Sequence, residues 1–213
     1  LGYKANDQTY LNNCETGGNV TFLPTTPVVR EKPFLFMDAK GNYKVFRPAL
    51  RRNAVGVSYS RTDMGEGETF DVNADFFVAS VGVSAKEINR QLQLGKHILF
   101  QPGMYKLEEP IHITRPGTIV MGLGWTTLIP DQNNPESALV VDDVDGVSVC
   151  SLLFDAHYSS RTLVTLEKKG KKHVDNPTLL ADLFFRVGGF VPAPVHVDCA
   201  IEIGSNDVIA DHF

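Results

Sequence analysis

From Gly95 onward the chain is a succession of short apolar segments separated by Gly, Pro, Asp and Asn. The segments fall at 97–100, 111–113, 118–121, 138–141, 147–154, 163–166, 183–185 and 200–203. Their length and β-branched content predict strands. Most of the gaps are too short for a crossover helix, which excludes βαβ units. An antiparallel sandwich fits the strand count. Similar strands, however, return after roughly 25 to 35 residues, the length of one solenoid coil. The pattern predicts an all-β chain wound as a parallel β-helix.

Upstream the texture differs. Residues 1–33 are polar, rich in Asn, Thr, Gly and Pro, and read as an extended leader packed on something else. Phe34 to Phe46 carries two apolar stretches around Lys40-Gly41-Asn42, the signature of a β-hairpin. Residues 63–68 form a Gly- and acid-rich surface turn whose spacing matches no EF-hand, and 76–79 a short strand. The clearest helix runs from Ser84 to Leu94. Ser84 and Glu87 make a capping box, Ile88 and Leu92 share a face, and Gly95 suits the left-handed C-terminal position. Such a helix can cover the open end of a solenoid and its unpaired first strand. Two regions result: an N-terminal extended and hairpin region at 1–80, and a cap with the first coils at 81–213.

Composition narrows the partners. The 213 residues are 43% hydrophobic and 21% charged, an ordinary globular balance. Twenty basic against 25 acidic residues give a formal net charge of -5, and no Lys/Arg run is interleaved with aromatics, so nucleic acid is not an expected partner. Lys168, Lys169, Lys171 and Lys172, split by Gly170, read as a solvated loop. No apolar run reaches the roughly 20 residues of a membrane span. The chain lacks an initiator Met and a signal peptide, and it stops at Ala210-Asp211-His212-Phe213 inside a strand-like segment. A processed or truncated product of a longer protein is the expectation. Cys14, Cys150 and Cys199 are too few for a zinc motif or a disulfide framework. Cys150 reads as a buried small hydrophobe, and pairing of Cys14 with Cys199 is neither required nor forbidden. The sequon at Asn19 is a candidate glycosylation site and points weakly to secretion.

Ile88-Asn89, followed by Gly95-Lys96-His97-Ile98-Leu99-Phe100-Gln101-Pro102-Gly103-Met104-Tyr105-Lys106-Leu107, resembles the entry segment of secreted pectin-lyase-like right-handed parallel β-helices. There a capping helix leads to a strand, a Pro-Gly-x-Tyr turn and a second strand. The likeness continues through Pro110-Ile111-His112-Ile113, Pro116 to Gly124, Gly146 to Val149, Leu152 to Ala156 and Asp182 to Gly189. It reaches back to Phe46-Arg47-Pro48-Ala49-Leu50-Arg51-Arg52, and so spans residues 34–213. The similar microbial proteins carry discoidin-type or glycosidase-associated modules. The resemblance implies a polysaccharide or oligosaccharide partner. It does not settle the activity, because the architecture serves lyases, glycosidases and non-catalytic surface proteins.

Equivalent residues of neighbouring coils lie about 4.8 Å apart in such a fold. Aligning Ser151–Asp155 with Asp182–Arg186, and then with Asp211-His212-Phe213, stacks Asp182 on Asp211. That is near the ~5 Å separation of retaining glycosidases, and crowding would raise one pKa for an acid role. Asp182 and Asp211 are therefore the candidate catalytic pair. Period two sends Leu152, Phe154, Leu183 and Phe185 inward, and Ser151, Leu153, Asp155, Phe184, Arg186 and Phe213 outward. Asp155 and Arg186 then form a surface ion-pair rung or a sugar contact. Phe184 and Phe213 form a stacking platform. His212, pointing inward by parity, is a further candidate contact. Asp142, Asp143 and Asp145 before Gly146 offer oxygens to Ca²⁺, although a metal-free Asp-Gly turn explains them more simply. No other metal or cofactor site is expected, and His157, His173 and His196 lack ligand spacing.

The expected function is a secreted carbohydrate-active protein, a glycoside hydrolase ahead of a lyase. The rival is a non-catalytic extracellular carbohydrate-binding, adhesion or matrix module, with a trimeric phage-like fibre third.

Overall fold

The computed structural model describes residues 24–60 and 62–213. The sequon at Asn19 and the pairing of Cys14 fall outside them.

Two small antiparallel sheets come first. β1 (Thr26–Val29), β2 (Phe34–Met37), β3 (Tyr43–Pro48), β4 (Arg51–Ala54) and β5 (Gly67–Asp71) pair as β1–β4 and as β2–β3–β5. The expected hairpin is β2–β3. Its turn closes because the Asp38 carboxylate accepts from the backbone N–H groups of Lys40 and Asn42, at 2.8 and 2.9 Å, with Gly41 at φ +84.

The remainder is a β-helix-like stack of parallel coils. β6 (Phe76–Ala79) is followed by the helix Ala85–Gln93. The first coil contains β7 (His97–Phe100), β8 (Gly103–Leu107) and β9 (Ile111–Ile113). β10 (Ile119–Gly122), β11 (Thr126–Pro130) and β12 (Leu139–Val141) make the second, and β13 (Ser148–Ala156) with β14 (Ser160–Leu166) the third. β15 (Thr178–Val187) with β16 (Val197–Ile203) make the fourth, and β17 (Val208–Asp211) opens a fifth. All pairings among them are parallel. Ile98, Val120, Val149, Leu180 and Ala210 are successive partners, so the coils advance by 22, 29, 31 and 30 residues. The first is shorter than the sequence period suggested. β6 already pairs with β7, so the stack begins at Phe76 rather than after residue 80.

Two cores hold the fold. One fills the coils, with Ile98, Val120, Leu128, Val149, Phe154, Leu180 and Leu183 among its members. Each such side chain contributes roughly 1.5–3 kcal/mol when fully buried. The other lies between the outer face of the β6–β7–β10–β13–β15 sheet and the N-terminal region, where Phe76, Leu99, Met121, Cys150 and Ala181 meet Val45 and Val72. Cys150 is a buried hydrophobe as expected, and burial pushes its thiol up to about 12. The helix closes the inner core with Ala85, Ile88 and Leu92. Its Asn89 accepts from His112 N–H at 2.8 Å and donates to the Pro110 carbonyl at 2.9 Å. Only half of the capping box forms: Ser84 Oγ accepts from Glu87 N–H at 3.1 Å, while the Glu87 carboxylate turns to Arg90 and Gln91. The Pro-Gly-x-Tyr turn also has a physical cause. The single Tyr105 Oη–H is shared between the carbonyls of Ala79 and Gln101, at 2.9 and 2.8 Å, pinning the first coil to β6.

Candidate functional site

The parallel register brings one column of residues to the outer surface in an unusual backbone state. Ser151, Asp182 and His212 have φ of 58, 51 and 58, in the left-handed region. Asp and His tolerate that region better than most side chains. Leu152 pairs with Leu183, which places Ser151 against Asp182. Ala181 pairs with Asp211, and Leu183 N–H donates to the His212 carbonyl at 3.2 Å, so His212 lies opposite Asp182.

The expected stacking of Asp182 on Asp211 is therefore wrong by one residue. Asp211 joins the neighbouring column with Ala181 and is exposed. The slip lies in the coil length: this coil advances by 30 residues, from Ala181 to Asp211, so the residue opposite Asp182 is His212. His212 points outward for the same reason, not into the core. Its Nδ1–H donates to Asp182 Oδ1 at 2.6 Å, and its ring meets Phe184 edge-on at 5.5 Å. Lys32, from the segment between β1 and β2, donates to Asp182 Oδ2 and to Ser151 Oγ, the latter at 3.3 Å. Burial raises the Asp182 carboxyl, but the hydrogen bonds from Lys32 and His212 outweigh it and hold the group below the usual carboxylate range. Asp182 is an ionised acceptor, not the proton-bearing acid expected from crowding.

Around this column opens a groove of about 360 Å³. Ser151, Asp182 and His212 give it polar lining, and Trp125, Leu153 and Phe184 apolar lining. Trp125, on the short loop between β10 and β11, is 80% exposed and Phe184 is 42% exposed. An exposed indole beside fixed polar groups suits a ligand with one apolar face and a hydroxylated edge.

The other expected contacts lie elsewhere. Phe213 is not on the Phe184 column; its ring approaches Phe185 at 6.3 Å. Asp155 does pair in register with Arg186, but it is fully buried rather than a surface rung. Its Oδ2 accepts from Arg186 and from His157 Nε2, the latter at 2.8 Å. Phe190 stacks on His157 at 4.7 Å and lies under the Arg186 guanidinium. The acidic turn is likewise engaged. His173, buried, bridges Asp143 and Asp145 at 2.6 Å each, and Lys169 pairs with Asp142 at 3.1 Å. Among the described residues no group of three or more His, Cys, Asp or Glu side chains is arranged to hold a metal, and no helix is long and apolar enough to cross a membrane. Lys32, Ser151 and Trp125 were missed as site residues. A lone Trp directly after two glycines, Gly122-Leu123-Gly124-Trp125, was the available signal.

Comparison with known proteins extends this picture. An exo-beta-1,3-glucanase of Streptomyces sp. (strain SirexAA-E / ActE) is 46% identical over 195 residues, covering 90% of this chain and 31% of the relative. The solved structure of sacteLam55A from Streptomyces sp. SirexAA-E matches with a TM-score of 0.82 at 45% identity, over 90% of this chain and 34% of that one. A glutamate-to-alanine variant of sacteLam55A in complex with glucose matches equally well. The chain thus spans about a third of the length of these relatives. The description "LAM55 pectate lyase-like domain" fits residues 76–213, starting at the first residue of β6, where the parallel stack itself starts. The chain belongs to the LAM55 pectate lyase-like domain family.

Proposed function

We propose that this chain is part of a secreted glycoside hydrolase acting on a neutral β-1,3-linked glucan, and that the Trp125–Asp182 groove is a glucan-contacting face of it. The observation that carries the proposal is an exposed indole and phenyl lining the same groove as an ionised carboxylate already fixed by Lys32 and His212. Sugar rings present C–H faces to aromatic planes and hydroxyls to carboxylates. The similarity to a protein named as an exo-beta-1,3-glucanase supports the substrate class. A polymeric substrate implies action outside the cell. Right-handed winding of the coils follows from the strong bias of parallel crossovers. Because Asp182 is ionised and Asp211 is out of register, this stretch contributes binding rather than the acid step. Titration with laminari-oligosaccharides tests the reading. Trp125→Ala should weaken binding about tenfold, the loss of roughly 1.4 kcal/mol of stacking, and Asp211→Asn should leave it unchanged. Equal affinity of Trp125→Ala and wild type would remove the groove from the proposal.

A further inference from the structure

A second cavity, of about 430 Å³, lies between the N-terminal strands and the turn that precedes β15. Arg30, Arg47, Glu66, Glu68 and Asn176 line it. Arg30 Nη2 donates to Asn176 Oδ1 at 2.5 Å. Its Nε and Nη1 are buried and have no hydrogen-bond partner among the described residues. Three N–H bonds of one guanidinium are thus unsatisfied, an arrangement that folded proteins rarely leave unfilled. Arg47 is differently placed. Its Nη1 donates to the Gly117 carbonyl at 2.8 Å, and its Nε to Glu68 Oε2 at 3.0 Å. Glu68 is consumed by that pair and Glu66 is exposed, so neither carboxylate satisfies Arg30. Burial first, and the like charge of Arg47 second, hold the Arg30 pKa below its ordinary value, the electrostatic setting that an added anion relieves.

We propose that this cavity is an oxyanion site in which the Arg30 guanidinium takes a phosphate or sulfate group, either as a free ion or as a substituent on a polysaccharide. Several acceptor oxygens on one charged centre match several unsatisfied donors on another.

The test is thermal unfolding and calorimetric titration of the chain with inorganic phosphate, against sodium chloride of equal ionic strength. Wild type should gain about 3 °C in Tm at a phosphate concentration ten times Kd. Arg30→Gln should keep only the general stabilisation that excluded salts give. Glu68→Gln, which releases Arg47, should tighten phosphate binding roughly threefold, a sign that non-specific salt effects do not produce. Identical wild-type melting in phosphate and chloride, or a full phosphate increment in Arg30→Gln, would overturn the site. Should Arg30→Gln fail to fold, the absence of a saturable wild-type titration would do the same. Tighter retention of a sulfated glucan than of its unsulfated parent, the excess abolished by Arg30→Gln, assigns the group to a polysaccharide. Saturable phosphate binding without that retention assigns it to a free ion.

Discussion

His97 makes the seam between the N-terminal strands and the coils sensitive to acid. Its ring sits edge-on to Phe70 at 4.8 Å and tilted against Phe76 at 5.0 Å. Its Nδ1 accepts from Ile119 N–H at 3.1 Å, so a proton there would replace an acceptor with a donor facing a donor. Burial, with Arg47 and Arg115 adding like charge against Asp75 and Glu68, lowers its pKa from 6.5 to about 4. At 1.36 kcal/mol per pH unit the full effect is about 3 kcal/mol. The sign follows from which state binds the proton. Between about pH 6.5 and 4 the unfolded chain takes up a proton that the native ring refuses, so stability falls as the solution is acidified and levels off below 4. About 2 kcal/mol of the loss falls between pH 7 and pH 5, or about 4–8 °C in Tm for a chain of this size. The assay is urea unfolding of wild type and His97→Gln at both pH values. Glutamine does not titrate, so the wild type should lose about 2 kcal/mol more than the variant over that interval. Parallel losses in the two proteins would refute the argument.

Two further outcomes are expected. At His173 the hydrogen bonds to Asp143 and then Asp145 raise the imidazole pKa, and the same contact lowers Asp143 to about 2. The clamp's contribution is complete below the unfolded histidine value near 6.5, where the carboxylates are still ionised, and is lost as pH rises through the folded pKa. Wild type should therefore lose more Tm than His173→Gln between pH 6 and pH 9, and an equal loss would dismiss the clamp. Asp155→Asn leaves Arg186 and His157 facing a neutral group at a buried position. It should cost about 2 kcal/mol in urea unfolding, below the range for fully buried pairs because Arg186 is partly exposed. A change under roughly 0.5 kcal/mol would show the contact to be incidental.

What the sequence determined by itself is the part of the protein that repeats. Most strand positions from His97 to Ile203, the hairpin at Lys40–Asn42, the helix after Ser84 and the pairing of Leu152 with Leu183 follow from hydrophobic spacing and turn chemistry. In a solenoid each coil meets a neighbour much like itself, so local pattern and tertiary contact agree. β11 escaped because its Thr126-Thr127-Leu128-Ile129-Pro130 is buried on both faces and shows no alternation. The site depended on information that no local pattern carries. The length of the coil from β15 to β17 set the register of the outward column, making the partner of Asp182 a histidine rather than an aspartate. Lys32 reaches Asp182 across 150 positions of sequence, and the buried state of Asp155 comes from side chains of a different coil. Tertiary structure decided these points because a side chain's charge state depends on what surrounds it in space, and here those surroundings come from distant stretches of the chain.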